Sequence, residues 1–334
     1  MQKTTFLFFI LLIILTLLTI ADIAAGSVNI PFSDILNYFS GKQINEKYRV
    51  ILNEFRIPGT LTAIIAGASL SVAGLQMQTF FGNPLAGPYV LGISSGASLG
   101  VALLLMSPLP LMISGFIDTA WLTGIVAGTG AAAVLLLIFL ISLRVKDIMT
   151  VLIIGILTGS AVSAVVGLLQ YFGNETDLKT FVVWTMGSLR GVGEVQLKAL
   201  FMFSALGLFA AILSYRILNI LLLGESYAIT SGLNLKLSAI IVFAETGILA
   251  GSVTAFCGPI GFIGIIVPHL SRSVFKTVNH KILIPASAII GAILMLISDI
   301  ISQLPGSNIT LPINSVTAIL GIPVVIYIIL KNRI

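Results

Sequence analysis

Apolar runs long enough to cross a bilayer recur from one end of this 334-residue chain to the other. A helix needs about 20 such residues to span the hydrocarbon core. Lipid offers peptide N–H and C=O groups no partner, so a spanning segment must satisfy its own backbone. The remaining composition agrees: 57% of residues are hydrophobic, 9% are charged, and the mean hydropathy is +1.14. These values lie far from those of a soluble globular protein. The expected fold is an all-α polytopic membrane protein, with residues 1–334 as one transmembrane domain.

Polar and Gly/Pro punctuation divides the runs into ten spans, at about 4–25, 59–81, 89–106, 119–143, 148–171, 195–215, 237–256, 259–269, 282–301 and 311–330. The eighth, PIGFIGIIVPH, is too short to cross as a straight helix and reads as a broken or tilted element. The N-terminal run resembles a signal peptide in its lysine and small residues, but it exceeds the usual apolar core and reads as a retained helix. With the N-terminus inside, inner segments hold ten basic residues, among them Lys3, Arg144, Lys146, Arg216, Lys236, Arg272 and Arg333, against two acids, Asp147 and Glu225. Outer segments and span ends hold seven basic residues and nine acids. Positive residues concentrate on the cytoplasmic side, so both termini are expected there. The +5 net charge is then topology and needs no nucleic-acid partner. The segment 26–57 is expected outside as short amphipathic helices on the surface, and 218–236 is expected inside.

Two dipeptides, Gly87-Pro88 and Gly258-Pro259, interrupt the pattern at matching places. Their offset brings spans 2–5 onto spans 7–10 with opposite direction, a weak inverted repeat. Inverted halves with Gly/Pro-broken segments mark transporters, and the breaks point to the pathway. Small residues at helical spacing (Gly155, Gly159, Ser163 and Gly167; Gly124 and Gly128; Gly247 and Gly251) allow close helix packing, and in span 5 also a smooth wall.

Several chemistries lack support. Gly92-Ile-Ser-Ser-Gly96 matches G-x-S-x-G, but a nucleophile elbow needs a strand before it and His and acid partners. No Walker motif, H-E-x-x-H or Cys/His cluster occurs, and Cys257 is the single cysteine. The chain is therefore not expected to be an enzyme or to bind a metal. Glu245 sits deep in span 7, either as a proton-coupling carboxylate or as a hydrogen-bonded structural group. Asp299, near the end of span 9, is expected to be solvated.

The interrupted stretch now gains a context. Asn83-Pro-Leu-Ala-x-Pro-x-x-Leu-Gly followed by Ser-x-Gly-Ala resembles the permease family of ATP-driven importers for iron-siderophores, haem and vitamin B12. Arg56-Ile-Pro, Gln76 with Gln78, WTMGSL from Trp184, LGESYA from Leu223, GPIGFIG from Gly258, Pro268-His269-x-x-Arg272 and LPINSVTAILGIP from Leu311 follow in the family's order.

The resemblance implies a permease of the bacterial inner membrane that pairs with a second copy of itself. Two cytoplasmic ATPase subunits carry ATP and Mg, and an external binding protein delivers substrate. Asn83 and Leu85 match the cytoplasmic gate, with Ile148 and Met149 as the companion constriction. Spans 5 and 10 line the route, with Gly155, Gly159 and Ser163 on one and Thr317 and Gly321 on the other. Leu223, Gly224, Glu225, Ser226 and Gly232 match the coupling segment on the ATPase. Pro268, His269 and Arg272 form a second inner motif, for which coupling stands beside helix capping for the histidine and positive-inside charge for the arginine. Arg56 matches an external arginine that pairs with a carboxylate of the binding protein. Gly59, Gly82 and Thr310 depart from the family, which usually has Arg, Arg and an acid there. The alternatives to this reading are a proton-coupled secondary transporter using Glu245 and a membrane scaffold without transport.

Overall fold

The computed structural model describes residues 2–107, 119–145, 147–304 and 309–331; Lys146 and Arg333 of the charge tally lie outside them. Among the described residues every regular element is helical. Those elements are α1 (Gln2–Ala24), α2 (Phe32–Phe39), α3 (Glu46–Ile51), a π-helical turn (Leu52–Arg56), α4 (Ile57–Phe80), a 3₁₀ turn (Pro88–Leu91), α5 (Ile93–Met106), α6 (Thr119–Ser142), α7 (Ile148–Phe172) and α8 (Glu175–Thr185). They continue as α9 (Glu194–Leu213), α10 (Tyr215–Leu221), α11 (Glu225–Thr230), α12 (Leu235–Cys257), α13 (Ile263–Phe275), α14 (His280–Ser302) and α15 (Ile313–Lys331). Seven helices are long and apolar enough to cross a membrane, and shorter apolar helices stand at Ile93–Met106, Ile263–Phe275 and Ile313–Tyr327. Helices thus stand at all the expected spans, the three short ones included.

Helix α4 is enclosed on nearly all sides by α12, α13 and α14. It can be, because small residues let neighbouring backbones close in. A Cβ on Gly74 would lie 1.8 Å from the carbonyl oxygen of Gly264 in α13, and one on Gly67 would lie 2.3 Å from that of Gly291 in α14. Proline at 268 explains why the Gly264 carbonyl is free to face α4: no amide exists at that position to take the helical bond.

Both Gly-Pro breaks are real and alike. Gly92, at φ +68°, precedes the 14-residue α5; Phe262, also at φ +68°, precedes the 13-residue α13. The two breaks touch, with the Ile260 N–H donating to Tyr89 Oη at 3.2 Å. Span 8 differs from its expected bounds, because the helix starts at Ile263 and carries Pro268 inside. The segment after α1 forms two short helices, the second running through the π turn directly into α4. Helices α8 and α10 were not foreseen, because an 11-residue helix with acids in its first turn and a seven-residue helix carry too few apolar residues to register as spans.

Candidate gate, coupling segment and transport path

The bundle gathers polar groups at two opposite ends. At one end, Arg190 donates to Asp299 Oδ2 through Nε (3.1 Å) and Nη2 (2.9 Å), and Nη2 also lies 3.5 Å from Asp22 Oδ1. Thr60 donates to the other oxygen of Asp22 at 2.5 Å, so α1, α4 and α14 are tied together there. Asp299 is 2% exposed, which overturns the expectation of a solvated carboxylate. Its partner lies more than a hundred residues away in sequence, so no local pattern announces the pair. The substitution at Gly59 makes room for this arrangement: a Cβ there would fall 2.7 Å from Arg190 Cγ.

Arg56, expected on an outer docking surface, is turned inward and is 2% exposed. Its guanidinium donates to the carbonyls of Ile23 (2.8 Å), Ala24 (2.9 Å) and Val28, joining the end of α1 to the start of α4. Three of its five N–H donors are engaged and the group is buried, which closes it off from a partner's carboxylate.

At the opposite end lies the loop after α4. The Asn83 side chain accepts the Leu85 N–H at 2.9 Å, and the Asn83 carbonyl accepts the Ala86 N–H at 3.1 Å, a tight Asx turn. That turn leaves Leu85 exposed at the tip. The loop is held from α13, where His269 Nε2 sits 2.8 Å from the Pro84 carbonyl. Because a carbonyl only accepts, the imidazole donates through Nε2–H. Arg272 donates to Gln78 Oε1 at 2.8 Å, and Gln78 donates to the Ile265 carbonyl at 2.9 Å, fixing the last turn of α4. The motif residues His269 and Arg272 therefore meet the Asn83–Ala86 loop and the helix that carries it.

Ile148 opens α7 and faces a cavity of about 530 Å³ shared with Arg144, Asp147, Glu225 and Lys236, while Met149 is exposed. Asp147 caps α7 by accepting the N–H and hydroxyl of Thr150, both at 2.8 Å, which holds its carboxyl below the usual carboxylate range. The segment around α11 turns on Gly224 (φ +94°) and Gly232 (φ +83°), conformations that side-chain-bearing residues rarely adopt. Its turns leave Leu223, Ser226 and Tyr227 exposed, with Glu225 half-buried beside the Ile148 cavity.

Helix α7 touches the bundle through its small residues. Gly155 packs on the Val90 carbonyl and Gly159 on Ser95. Together with Ser94, Ser98, Ser160 and Ser163 they line an open groove of about 570 Å³ whose polar groups are mainly hydroxyls. Thr317 and Gly321, expected on the same path, are buried instead: Thr317 is 1% exposed, and a Cβ on Gly321 would lie 2.5 Å from Ile266 Cδ1 of α13. The exposed face of α15 is formed by Ile319, Ile322 and Ile326.

Among the described residues no group of three or more His, Cys, Asp or Glu side chains could hold a metal ion.

A model of the FecCD transport family matches residues 11–331. The haemin transport system permease protein HmuU of Yersinia pestis is 33% identical over 329 residues, covering 97% of this chain and 95% of its own. The vitamin B12 import system permease protein BtuC of Salmonella arizonae is 34% identical over 297 residues, covering 87% and 86%. A metal-chelate type ABC transporter solved in an inward-facing conformation superposes with a TM-score of 0.83 at 27% identity, over 98% of this chain and 99% of that one. The broken helices, the clasped loop and the match across nearly the whole sequence agree, and the chain belongs to the FecCD transport family.

Proposed function

We propose that this protein is the membrane-spanning subunit of an ATP-driven importer for a bulky chelate of the haem, cobalamin or ferric-siderophore kind. Two copies enclose the path, two separate ATPase subunits bind ATP and Mg below, and a binding protein docks above. The observation that carries this reading is the exposed Leu85 tip on a loop pinned by His269, together with the hydroxyl-lined groove of α5 and α7. A path of hydroxyls and small residues suits a large cargo that must slide, because sites that grip tightly do not release.

The end with the Asn83 loop is the cytoplasmic face in this reading, and the Asp22 end is the outer face. Leu223, Gly224, Glu225, Ser226 and Gly232 then meet the ATPase. The outer end offers Lys47 and Arg49 as exposed cations for the binding protein, in place of the buried Arg56. ATP binding biases a two-state bundle by pushing on residues 218–236, and loaded binding protein biases it from the other face. Asn83 and Leu85, with Ile148 and Met149 of each copy, close the path after delivery.

The test is leak. Vesicles containing the assembled permease are loaded with cyanocobalamin, haem or a ferric hydroxamate and kept without ATP. The double substitution Asn83→Ala/Leu85→Ala is expected to raise release over the parent. Release equal to the parent for every chelate that the parent itself imports would remove these residues from the gate.

A further inference from the structure

The coupling segment and the gate loop lie far apart in sequence, yet a short chain of hydrogen bonds joins them. Asn219, on α10 at the start of the segment, meets the first residues of α14. Its Oδ1 accepts the His280 backbone N–H at 2.8 Å and lies 2.9 Å from His280 Nδ1. Its Nδ2 donates to Asn279 Oδ1 at 3.1 Å. Because a backbone N–H can only donate, the atom facing it must be the amide oxygen. That oxygen accepts from Nδ1–H as well, which leaves Nε2 of a neutral imidazole as an acceptor. Thr79 Oγ1 lies 2.8 Å from this nitrogen, and its single proton is shared between Nε2 and the Leu75 carbonyl at 2.9 Å.

Thr79 stands in the last turn of α4, followed by Phe80 and Phe81 and then the gate loop. His280 is fully buried and Thr79 is 4% exposed, so the bond between them is shielded from water, while Asn219 is half-buried at the other end. We propose that Asn219, His280 and Thr79 form a positioning relay that transmits movement of residues 218–236 to the gate loop at Asn83–Ala86. The inference rests on the importer reading and extends it to residues outside every motif that carried that reading.

Such contacts transmit displacement either way, and in the importer reading the drive comes from the ATPase-facing segment. Helix α10 packs on both α14 and α4. A shift of α10 drags Asn219, and the imidazole, bonded through both ring nitrogens, cannot follow one partner without leaving or moving the other. The loop is also held from α13 by His269 and Arg272, which share no bond with the coupling segment. The relay is thus a hydrogen-bonded tether between the ATPase-facing segment and the gate, opposed by an anchor on α13. Coupling of this kind needs a two-state element that both sites bias; the gate loop is that element.

The experiment uses the complete complex of permease, ATPase and binding protein in proteoliposomes, with Leu85→Cys as a reporter at the gate. Cys257, the single native cysteine, is 2% exposed and stays silent. The rate of Leu85→Cys labelling by a water-soluble maleimide is compared with and without trapped ATP, beside ATP hydrolysis. Thr79→Val keeps the shape and removes the hydroxyl; it should cut the nucleotide-dependent change in labelling by about tenfold, an ordinary coupling magnitude, while hydrolysis persists. Thr79→Ser should restore the change, and Asn219→Ala should repeat the loss from the other end of the relay, even if Thr79→Val fails to assemble.

Labelling in both Thr79→Val and Asn219→Ala that follows nucleotide as in the parent would overturn the relay and leave the importer reading intact. Equal loss in Thr79→Ser and Thr79→Val would show a packing role and overturn it too. If the parent itself shows ATP hydrolysis and no nucleotide-dependent change at Leu85→Cys, the gate reading fails and the relay with it.

Discussion

Glu245 shows how a carboxyl group is tolerated deep in a membrane bundle. It faces inward from α12, 5% exposed, and two donors converge on one oxygen: the Gln76 amide of α4 and, at 2.9 Å, the Ser214 hydroxyl. Thr246 donates in turn to Gln76 Oε1 at 3.4 Å. The group therefore ties α12 to α4 and to the junction of α9 and α10, which favours a structural acceptor over a proton carrier. Glu245→Gln keeps an oxygen for both donors and should import at close to the parent's rate. Glu245→Leu strands the Gln76 amide, at about 1–3 kcal/mol for an unsatisfied group, while the Ser214 hydroxyl keeps the Ala211 carbonyl at 3.1 Å, and the change should lower the melting temperature of the purified protein. A gradient-driven carrier that protonates Glu245 behaves oppositely: Glu245→Gln would then stop uptake outright while the melting temperature held.

At the scale of elements, the closeness of α4 and α13 decides where the two broken segments meet. The Gly74 contact leaves no room for a methyl group, and the atom in the way is backbone rather than a flexible side chain. Gly74→Ala must push the helices apart, costing about 1–3 kcal/mol as overpacking does. Since α13 carries His269 and Arg272, the same shift should loosen the gate loop, so the variant is expected to show both a lower melting temperature and raised leak. Gly251, with nothing within 4 Å of its Cβ position, is the control: Gly251→Ala should change neither.

Much of this was readable in the chain. Gly-Pro dipeptides cannot sit quietly inside a helix, so the breaks at 87 and 258 could be placed from residue type alone. The turn after α4 was legible through its Asn-Pro pair. What was hidden depended on partners distant in sequence. Asp299 looked like a charge near water, and only the fold joins it to Arg190. Arg56 looked like a docking group because the number of carbonyls within its reach is set by how α1 ends over α4. Thr317 and Gly321 have the small, polar character of a path, but helix rotation turns them into α13.

At the scale of the whole molecule, the single copy is lopsided. Helix α4 is buried nearly all round, whereas α7 exposes Ile153, Ile156, Leu157, Val165 and Leu168 together with the serines of the groove. A helix lying in lipid has no use for hydroxyls on its surface, although each of these can fold back on its own turn, as Ser160 and Ser163 do toward Ile156 and Gly159. A second copy that places the groove on a shared axis turns it into a water-filled wall, where irregular and polar surface is tolerated. Thiol chemistry separates the two settings. In the assembled complex, Ser160→Cys and Ser163→Cys should react with a water-soluble maleimide, and the rate should change when ATP is bound. Leu17→Cys, on the outward-facing α1, should react only with a lipid-soluble reagent. If the two serine positions behave like Leu17→Cys in every nucleotide state, α7 faces lipid and the path lies elsewhere. If they react with the water-soluble reagent equally with and without ATP, the groove is wet but does not move, and the two-state bundle is wrong.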